Sequence, residues 1–399
     1  MDHITQRQLF LKHVAQTSDT PLLGIDMNVV KANGVTLTDV HGKTYIDLIS
    51  GISVSNIGHC HPDVVNAIKE QSEKYMHLMV YGEFNQGPQV QYASLLTSVL
   101  PSALNSVYFT TGGSEAIEGA MKLAKRATGR SEIISFKNAY HGSTQGALSL
   151  MGDESFKNAF RPLLPGIKQI QFNDENDLAT ITNKTAAVVI ELIQGEAGVR
   201  KMDKAYLQKL KKRCDENGVL LVVDEIQTGF GRTGTLFAFE QYGVVPDILC
   251  IAKGMGGGLP IGAFVADKEL MQNLTHDPVL GHINTFGGNA VCTAAAIATL
   301  NVVLKNNLAK RANEIEQIIK QKLIHKHIKE VRVVGALGAV DMGNEELNFK
   351  FCKLLIENGV ITDWFLFCSS AFRIAPPLTV TNAELEKACD QILATLDQL

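Results

Sequence analysis

The sequence predicts an α/β fold with a mostly parallel central sheet covered by helices, and three observations point to it. Six short apolar runs recur between residues 107 and 265 with helical stretches between them, the alternation that places buried parallel strands under helices on both faces. Glycines and prolines act as local punctuation and form no long linker. At 399 residues the chain suits a large domain with a smaller companion.

The strands are expected, in order, at 107–109, 132–136, 186–190, 219–223, 248–252 and 262–265. Past the first strand, Gly112, Gly113 and Ser114 form a turn, and Ile117, Ala120, Met121 and Ala124 follow it at i, i+3, i+4, i+7 spacing, so a helix starts there. Near the end, Thr381-Asn-Ala-Glu384 reads as a capping box for a helix whose inner face carries Leu385, Cys389, Ile392 and Leu396. From about residue 306 the glycine-rich rhythm fades, which places the smaller domain at 306–399.

Composition narrows the function classes. Apolar residues make up 45% and charged residues 20%, as in globular proteins. The balance of 37 basic and 41 acidic residues, net −4, contains no basic stripe, so neither nucleic acid nor a membrane surface is an expected partner. Seven scattered cysteines without a Cys-x-x-Cys pair point away from a disulfide framework or zinc site and fit a reducing cytoplasm. No metal is expected. Residues 1–10 lack a signal-peptide pattern, and no apolar run reaches membrane-spanning length, so a cytoplasmic protein is expected.

Ligands of open parallel sheets bind beyond the carboxyl ends of strands. Four strands end informatively: one runs into Thr110-Thr-Gly-Gly-Ser114, and the others end at Glu191, Asp224 and Lys253. The glycine turn offers free N–H groups and a positive helix end to a phosphate, although such a turn is more often only a turn. Asp224, after five apolar residues, needs a cationic partner if buried; a protonated pyridine nitrogen or a neighbouring Arg or Lys would serve. Lys253 precedes the glycine-rich residues 254–262, where poor solvation lowers its pKa and makes it a usable nucleophile. A lysine ahead of the glycines is the reverse of a nucleotide-triphosphate loop.

Together these residues resemble the fold-type I pyridoxal-phosphate (PLP) enzymes, and within them the class III aminotransferases of the acetylornithine, ornithine and 4-aminobutyrate group. The shared motifs run along nearly the whole chain: Gly42-Lys-Thr-Tyr-Ile-Asp47, Gly58-His-Cys-His-Pro62, Tyr140-His-Gly142, Gln194-Gly-Glu-Ala-Gly198, Thr285-Phe-Gly-Gly-Asn289 and Arg373-Ile-Ala-Pro-Pro-Leu378. The most specific is Asp224-Glu-Ile-Gln-Thr-Gly-Phe-Gly-Arg-Thr-Gly234, with Lys253 following 29 residues after its Asp.

The resemblance implies that Lys253 bonds the PLP aldehyde and shuttles the proton, while Asp224 pairs with the pyridinium nitrogen. It implies further cofactor contacts from Gly113, Ser114, Tyr140, His141, Glu191 and Gln227, with Thr285 reaching across from the partner of a homodimer. Arg373 would grip a carboxylate of glutamate or 2-oxoglutarate, and Glu196 would neutralise it when the other substrate is bound. Ile52 would face the substrate. The implied organisation is an N-terminal segment, 1–55, packing with the small domain, a PLP-binding domain at 56–305, and a small α+β domain made by both termini.

Three departures bear on the substrate. Thr111-Gly-Gly-Ser114 replaces the usual Asn-Ser-Gly-Thr, Leu192 replaces a proline after Glu191, and Ser143 stands where acetylornithine enzymes commonly place an arginine. The expected activity is transfer of an amino group from an ω-amine or amino-acid donor, acetylornithine-like first, to 2-oxoglutarate. The alternatives are an ornithine or 4-aminobutyrate aminotransferase and an aminomutase of the same fold, which would need no acceptor.

Overall fold

The computed structural model describes residues 3–15 and 27–399. Residues 1 and 2, on which the signal-peptide expectation partly rests, lie outside the described residues. Seven strands form the central sheet in the order Ser106–Thr110, Gly262–Ala266, Ile248–Ile251, Leu220–Asp224, Thr185–Ile190, Glu132–Phe136, Ile167–Ile170. All six expected strands are present. Ile167–Ile170, at the edge, lacks a continuous apolar run because Lys168 and Gln169 interrupt it.

The sheet is parallel except for Gly262–Ala266, which is antiparallel to both neighbours. That inversion puts Gly262 opposite Thr110, at the edge where the parallel strands end. Side chains alternate between two cores: Val188, Ile190, Leu221 and Val223 face one, and Ala187, Val189, Val222 and Cys250 face the other. Burial of both faces explains why these strands read as continuous apolar runs.

The helix Gly113–Thr128 buries Ile117, Ala120, Met121 and Ala124, as its periodicity predicts. Its closest approach to the sheet is at Gly119, where a Cβ would come within 2.3 Å of the Phe264 ring. The capping box at Thr381 and Glu384 opens Asn382–Leu396, which buries Leu385, Cys389, Ile392 and Leu396.

The two ends of the chain meet. Thr44–Asp47 pairs in parallel with Val360–Ile361, completing a four-stranded sheet with Val29–Asn33 and Thr36–Asp39. A further sheet has the order Glu330–Val334, Leu337–Asp341, Cys368–Ile374, Trp364–Phe365. Both pack on a core that includes Val35, Leu48, Phe351, Phe372 and Ile392. The fully buried Arg232 ties distant stretches of the chain together, donating from Nη1 to the carbonyls of Ala336 and Pro376 and from Nη2 to Asn56 Oδ1. Burial without a contacting carboxylate lowers its pKa to about 9.

Four cysteines, Cys214, Cys250, Cys352 and Cys389, are buried, and Cys60 is exposed. Among the described residues no group of His, Cys, Asp and Glu is arranged to hold a metal. No single described helix is long and apolar enough to cross a membrane.

Candidate active site

Beyond the carboxyl ends of the central strands lies a cavity of about 410 Å³. Its lining includes nine residues singled out from the sequence: Gly113, Ser114, Tyr140, His141, Glu191, Glu196, Asp224, Gln227 and Lys253. They come from separate strand ends, which is why sequence distance is no guide to their proximity.

One wall is the start of Gly113–Thr128. Its cap residue Gly112 is extended and offers no side-chain cap, so the first N–H groups and the positive helix end are left for an anion. Gly142 lies against this turn at φ +126°, and a Cβ there would stand 2.1 Å from Ser114 Oγ. The Tyr140-His-Gly turn must therefore be closed by glycine for Ser114 to face the cavity.

The floor is carboxylate chemistry. Asp224, the last residue of its strand, is 5% exposed. Its Oδ1 accepts from the Ile226 N–H at 2.9 Å, and its Oδ2 lies 2.7 Å from His141 Nδ1. Within the protein, the partner of its Oδ2 is therefore His141. Burial alone would lower the His141 pKa, but the hydrogen bond and charge of Asp224, with help from Glu191, outweigh it and raise the value. Glu191 accepts from the backbone N–H of Tyr140 at 3.0 Å and of Gly195 at 3.2 Å. Burial pushes its carboxyl up to about 7.

Lys253 opens the short turn Lys253–Gly256 at φ +45°, a left-handed conformation uncommon outside glycine. Burial lowers its amine pKa, opposed by the negative charge of Glu196. The glycines after it have a packing reason too: a Cβ at Gly254 would meet Asn56 Nδ2 at 2.5 Å.

The substrate-side pair is buried, not on the surface. Arg373, 1% exposed, donates from Nη2 to both carboxylate oxygens of Glu196 at 3.0 and 3.1 Å. Its Nε donates to Asp363 Oδ1 at 2.8 Å, and Phe365 lies under the guanidinium, 4.3 Å from Cζ. Burial would lower the arginine pKa, but the two carboxylates raise it, so it stays charged. Arg373 stands behind Glu196 and outside the cavity lining. Trp364, edge-on to Phe349, packs elsewhere.

Besides Arg373, two predicted residues are not brought to this cavity. Thr285 is exposed, its hydroxyl 3.1 Å from Tyr81 Oη. Ile52 lies in a left-handed stretch at φ +60° and is absent from the lining, where Val54 appears instead. Ser143 sits beside the cradle, its hydroxyl 3.2 Å from Tyr140 Oη. Sequence reasoning placed Thr111 in the phosphate turn but missed Ile226 and Asp363. Asp363 carried a faint signal, a carboxylate inside the apolar residues 359–368.

Three polar atoms around this site are buried without a hydrogen-bond partner: Gln227 Nε2, His141 Nε2 and Arg373 Nη1. Orphans of this kind are costly unless a ligand satisfies them. An uncapped helix start, a buried carboxylate and a desolvated lysine beside them suit a phosphorylated aromatic aldehyde, which defines a PLP-dependent transferase.

The chain belongs to the class III aminotransferases, whose family model matches residues 17–396. It is 38% identical over 375 residues to the acetylornithine aminotransferase of Methanopyrus kandleri, covering 93% of this chain and 94% of that one. It is 39% identical over 365 residues to the acetylornithine aminotransferase of Bacillus cereus, covering 90% and 92%. Among solved structures, the ornithine aminotransferase of Toxoplasma gondii superposes with a TM-score of 0.89 at 29% identity, over 99% of this chain and 94% of that one. An (S)-enantioselective ω-transaminase from Thermomicrobium roseum gives 0.90 at 27% identity, over 100% and 99%. The fold is therefore fold type I, the cofactor is PLP, and the reaction is transamination between small amino and keto substrates.

Proposed function

We propose that this transaminase takes the amino group of an acetylornithine-type ω-amino donor and delivers it to 2-oxoglutarate. The observation that carries the reading is the buried Arg373–Glu196 pair behind the cavity that holds Lys253. A charge reserved for a carboxylate, and masked by a movable one, suits a pocket that must accept two unlike substrates in turn. It also favours an external acceptor over an aminomutase. The donor class is supported by the acetylornithine aminotransferases among the relatives.

When bound, PLP supplies the electron sink that stabilises negative charge at the donor carbon. The protein's own groups do the rest. Lys253 Nζ, whose lowered pKa favours the neutral amine, would bond the cofactor and carry the proton of the transfer. Asp224 would hold positive charge at the ring nitrogen, with His141 fixing its carboxylate. Gln227 Nε2, buried without a partner, would hold the ring oxygen, Tyr140 would pack against the ring, and Gly113 and Ser114 would hold the phosphate. Glu191 orients the Tyr140 turn. Arg373 would receive the acceptor carboxylate once Glu196 swings aside.

A cytoplasmic homodimer belongs to the same reading, with Thr285 serving the partner's cofactor; its exposure outside its own cavity supports this. So does a division into 1–55, 56–305 and 306–399, supported by the sheet that both termini share.

The test is a donor panel against 2-oxoglutarate: acetylornithine, succinylornithine, ornithine, 4-aminobutyrate and lysine. A kcat/KM for acetylornithine or its succinyl analogue at least about tenfold above the others is expected. Preference for ornithine or 4-aminobutyrate would replace the donor assignment, and turnover without any keto acid would favour the mutase. A large gain with acetylornithine in Ser143→Arg would show that the native donor is another ω-amine.

A further inference from the structure

We propose that a second cleft, at the base of the hairpin that carries Glu196, binds a small organic anion with two or more carboxylate or phosphate groups, and that the bound anion restrains the hairpin.

The short strands Ile193–Gln194 and Arg200–Lys201 pair antiparallel, and Glu196 lies in the turn between them. Glu196 borders the cavity that holds Lys253, whereas Gln194, Val199, Arg200 and Lys201 do not. They border a separate cleft of about 600 Å³, a volume typical of small-molecule sites. Its remaining lining includes Lys137, at the end of a central strand, and part of the strand Glu330–Val334.

Five cations line this cleft, Lys137, Arg200, Lys201, Lys320 and Arg332, and no Asp or Glu does. Two of them are neutralised from outside it: Lys320 by Glu316, and Arg332 by Glu330 and by Asp341 at 3.3 Å. Lys137, Arg200 and Lys201 have no carboxylate within ion-pair distance among the described residues. Arg200 Nε donates to the Ala197 carbonyl at 3.2 Å, and Lys201 Nζ stands 5.8 Å from the centre of the Tyr242 ring. Neither contact supplies a counter-charge. In a chain of net charge −4, cations gathered in a concave surface without acidic neighbours focus positive potential there. The exposed amides of Asn138 and Gln171 add hydrogen-bond partners for a ligand's oxygens.

The backbone around the cleft is unusual as well. Asn138, Asn173 and Val199 are all left-handed, at φ of +57°, +61° and +58°. For the β-branched Val199 that conformation is costly, and costs of this kind gather at ligand clamps and active sites. The hairpin is already tied to both neighbours: Gln194 Nε2 donates to the Lys137 carbonyl at 2.9 Å, and Arg332 Nε donates to the Gly198 carbonyl at 2.6 Å. An anion shared by Lys137, Arg200 and Lys201 would clamp both strands of the hairpin to the central sheet, and with them residues 195–199.

The experiment titrates borohydride-reduced holoenzyme calorimetrically with citrate and with fructose 1,6-bisphosphate at fixed ionic strength, with inorganic sulfate as the control. One site per chain is expected for at least one of the two, with a Kd below about 1 mM. A response to citrate alone assigns the site to polycarboxylates, and one to the bisphosphate alone assigns it to phosphate esters. Lys137→Gln, and separately the double variant Arg200→Gln with Lys201→Gln, should weaken binding at least about tenfold, whereas Lys212→Gln on an exposed helix face should not. In the bound state the amides of 195–199 should exchange with solvent at least about threefold more slowly. No binding, binding that survives both cleft variants, or sulfate binding as tight as the organic anions overturns the site. Unchanged exchange at 195–199 beside confirmed binding overturns the restraint. None of these readouts uses turnover, so the result is independent of the donor and acceptor assigned above.

Discussion

His141 Nδ1 lies 2.7 Å from Asp224 Oδ2, and both side chains are buried. The carboxylate raises the imidazole pKa despite burial. A histidine whose pKa is raised on folding contributes stability that is complete below its ordinary 6.5 and fades as pH rises through the raised value. Denaturant melts of the apoprotein across pH should show that decline, and His141→Asn should flatten it. An identical slope in both proteins would refute the pairing.

Glu191 gives a limb of similar direction in another window. Its carboxyl is pushed up to about 7 by burial, so the folded state holds a proton that the unfolded chain releases near 4.5. Stability should fall between those values as pH rises, and Glu191→Gln should remove that part of the fall. Calorimetric Tm profiles of the two apoproteins check it.

Lys253→Ala should lower turnover by about 10³-fold or more, with borohydride no longer fixing cofactor to the protein. Mass spectrometry of the reduced holoenzyme locates the adduct. Label on any other lysine would remove the central assignment.

Gly142→Ala tests the phosphate cradle. The added methyl would stand 2.1 Å from Ser114 Oγ at a backbone φ of +126°, so the turn must move. Cofactor affinity should drop by about tenfold or more, at a cost of about 1–3 kcal/mol in backbone strain. Titration of apoprotein with PLP, followed by absorbance, measures the first effect.

Glu196→Ala should lower KM for 2-oxoglutarate, because the competing carboxylate is gone, and raise KM for the donor, which then meets an unmasked arginine. Separate half-reactions resolve the two. Equal shifts of one sign would argue against a gate.

The sequence made the strand ends legible because both faces of this sheet are buried, so its strands stand out as apolar runs and the polar residue that ends each run is conspicuous. Asp224 and Lys253 were found that way. The inverted direction of Gly262–Ala266 was not legible, since direction leaves no mark on an apolar run. Asp363 escaped for another reason. Its meaning depends on Arg373, ten residues on, folding back across an antiparallel pair, and the same spacing would separate them in a helix. His141 was picked out by family motif alone, and its bond to Asp224 spans 83 positions that no local pattern encodes.

The sheet that joins Thr44–Asp47 to Val360–Ile361 has a consequence for synthesis. Roughly nine-tenths of the polypeptide must leave the ribosome before the third strand of the early sheet can find its last neighbour. Until then that edge is open to pairing with other chains. A nascent chain stalled before Val360 would therefore be sticky at its beginning, not only at its unfinished end.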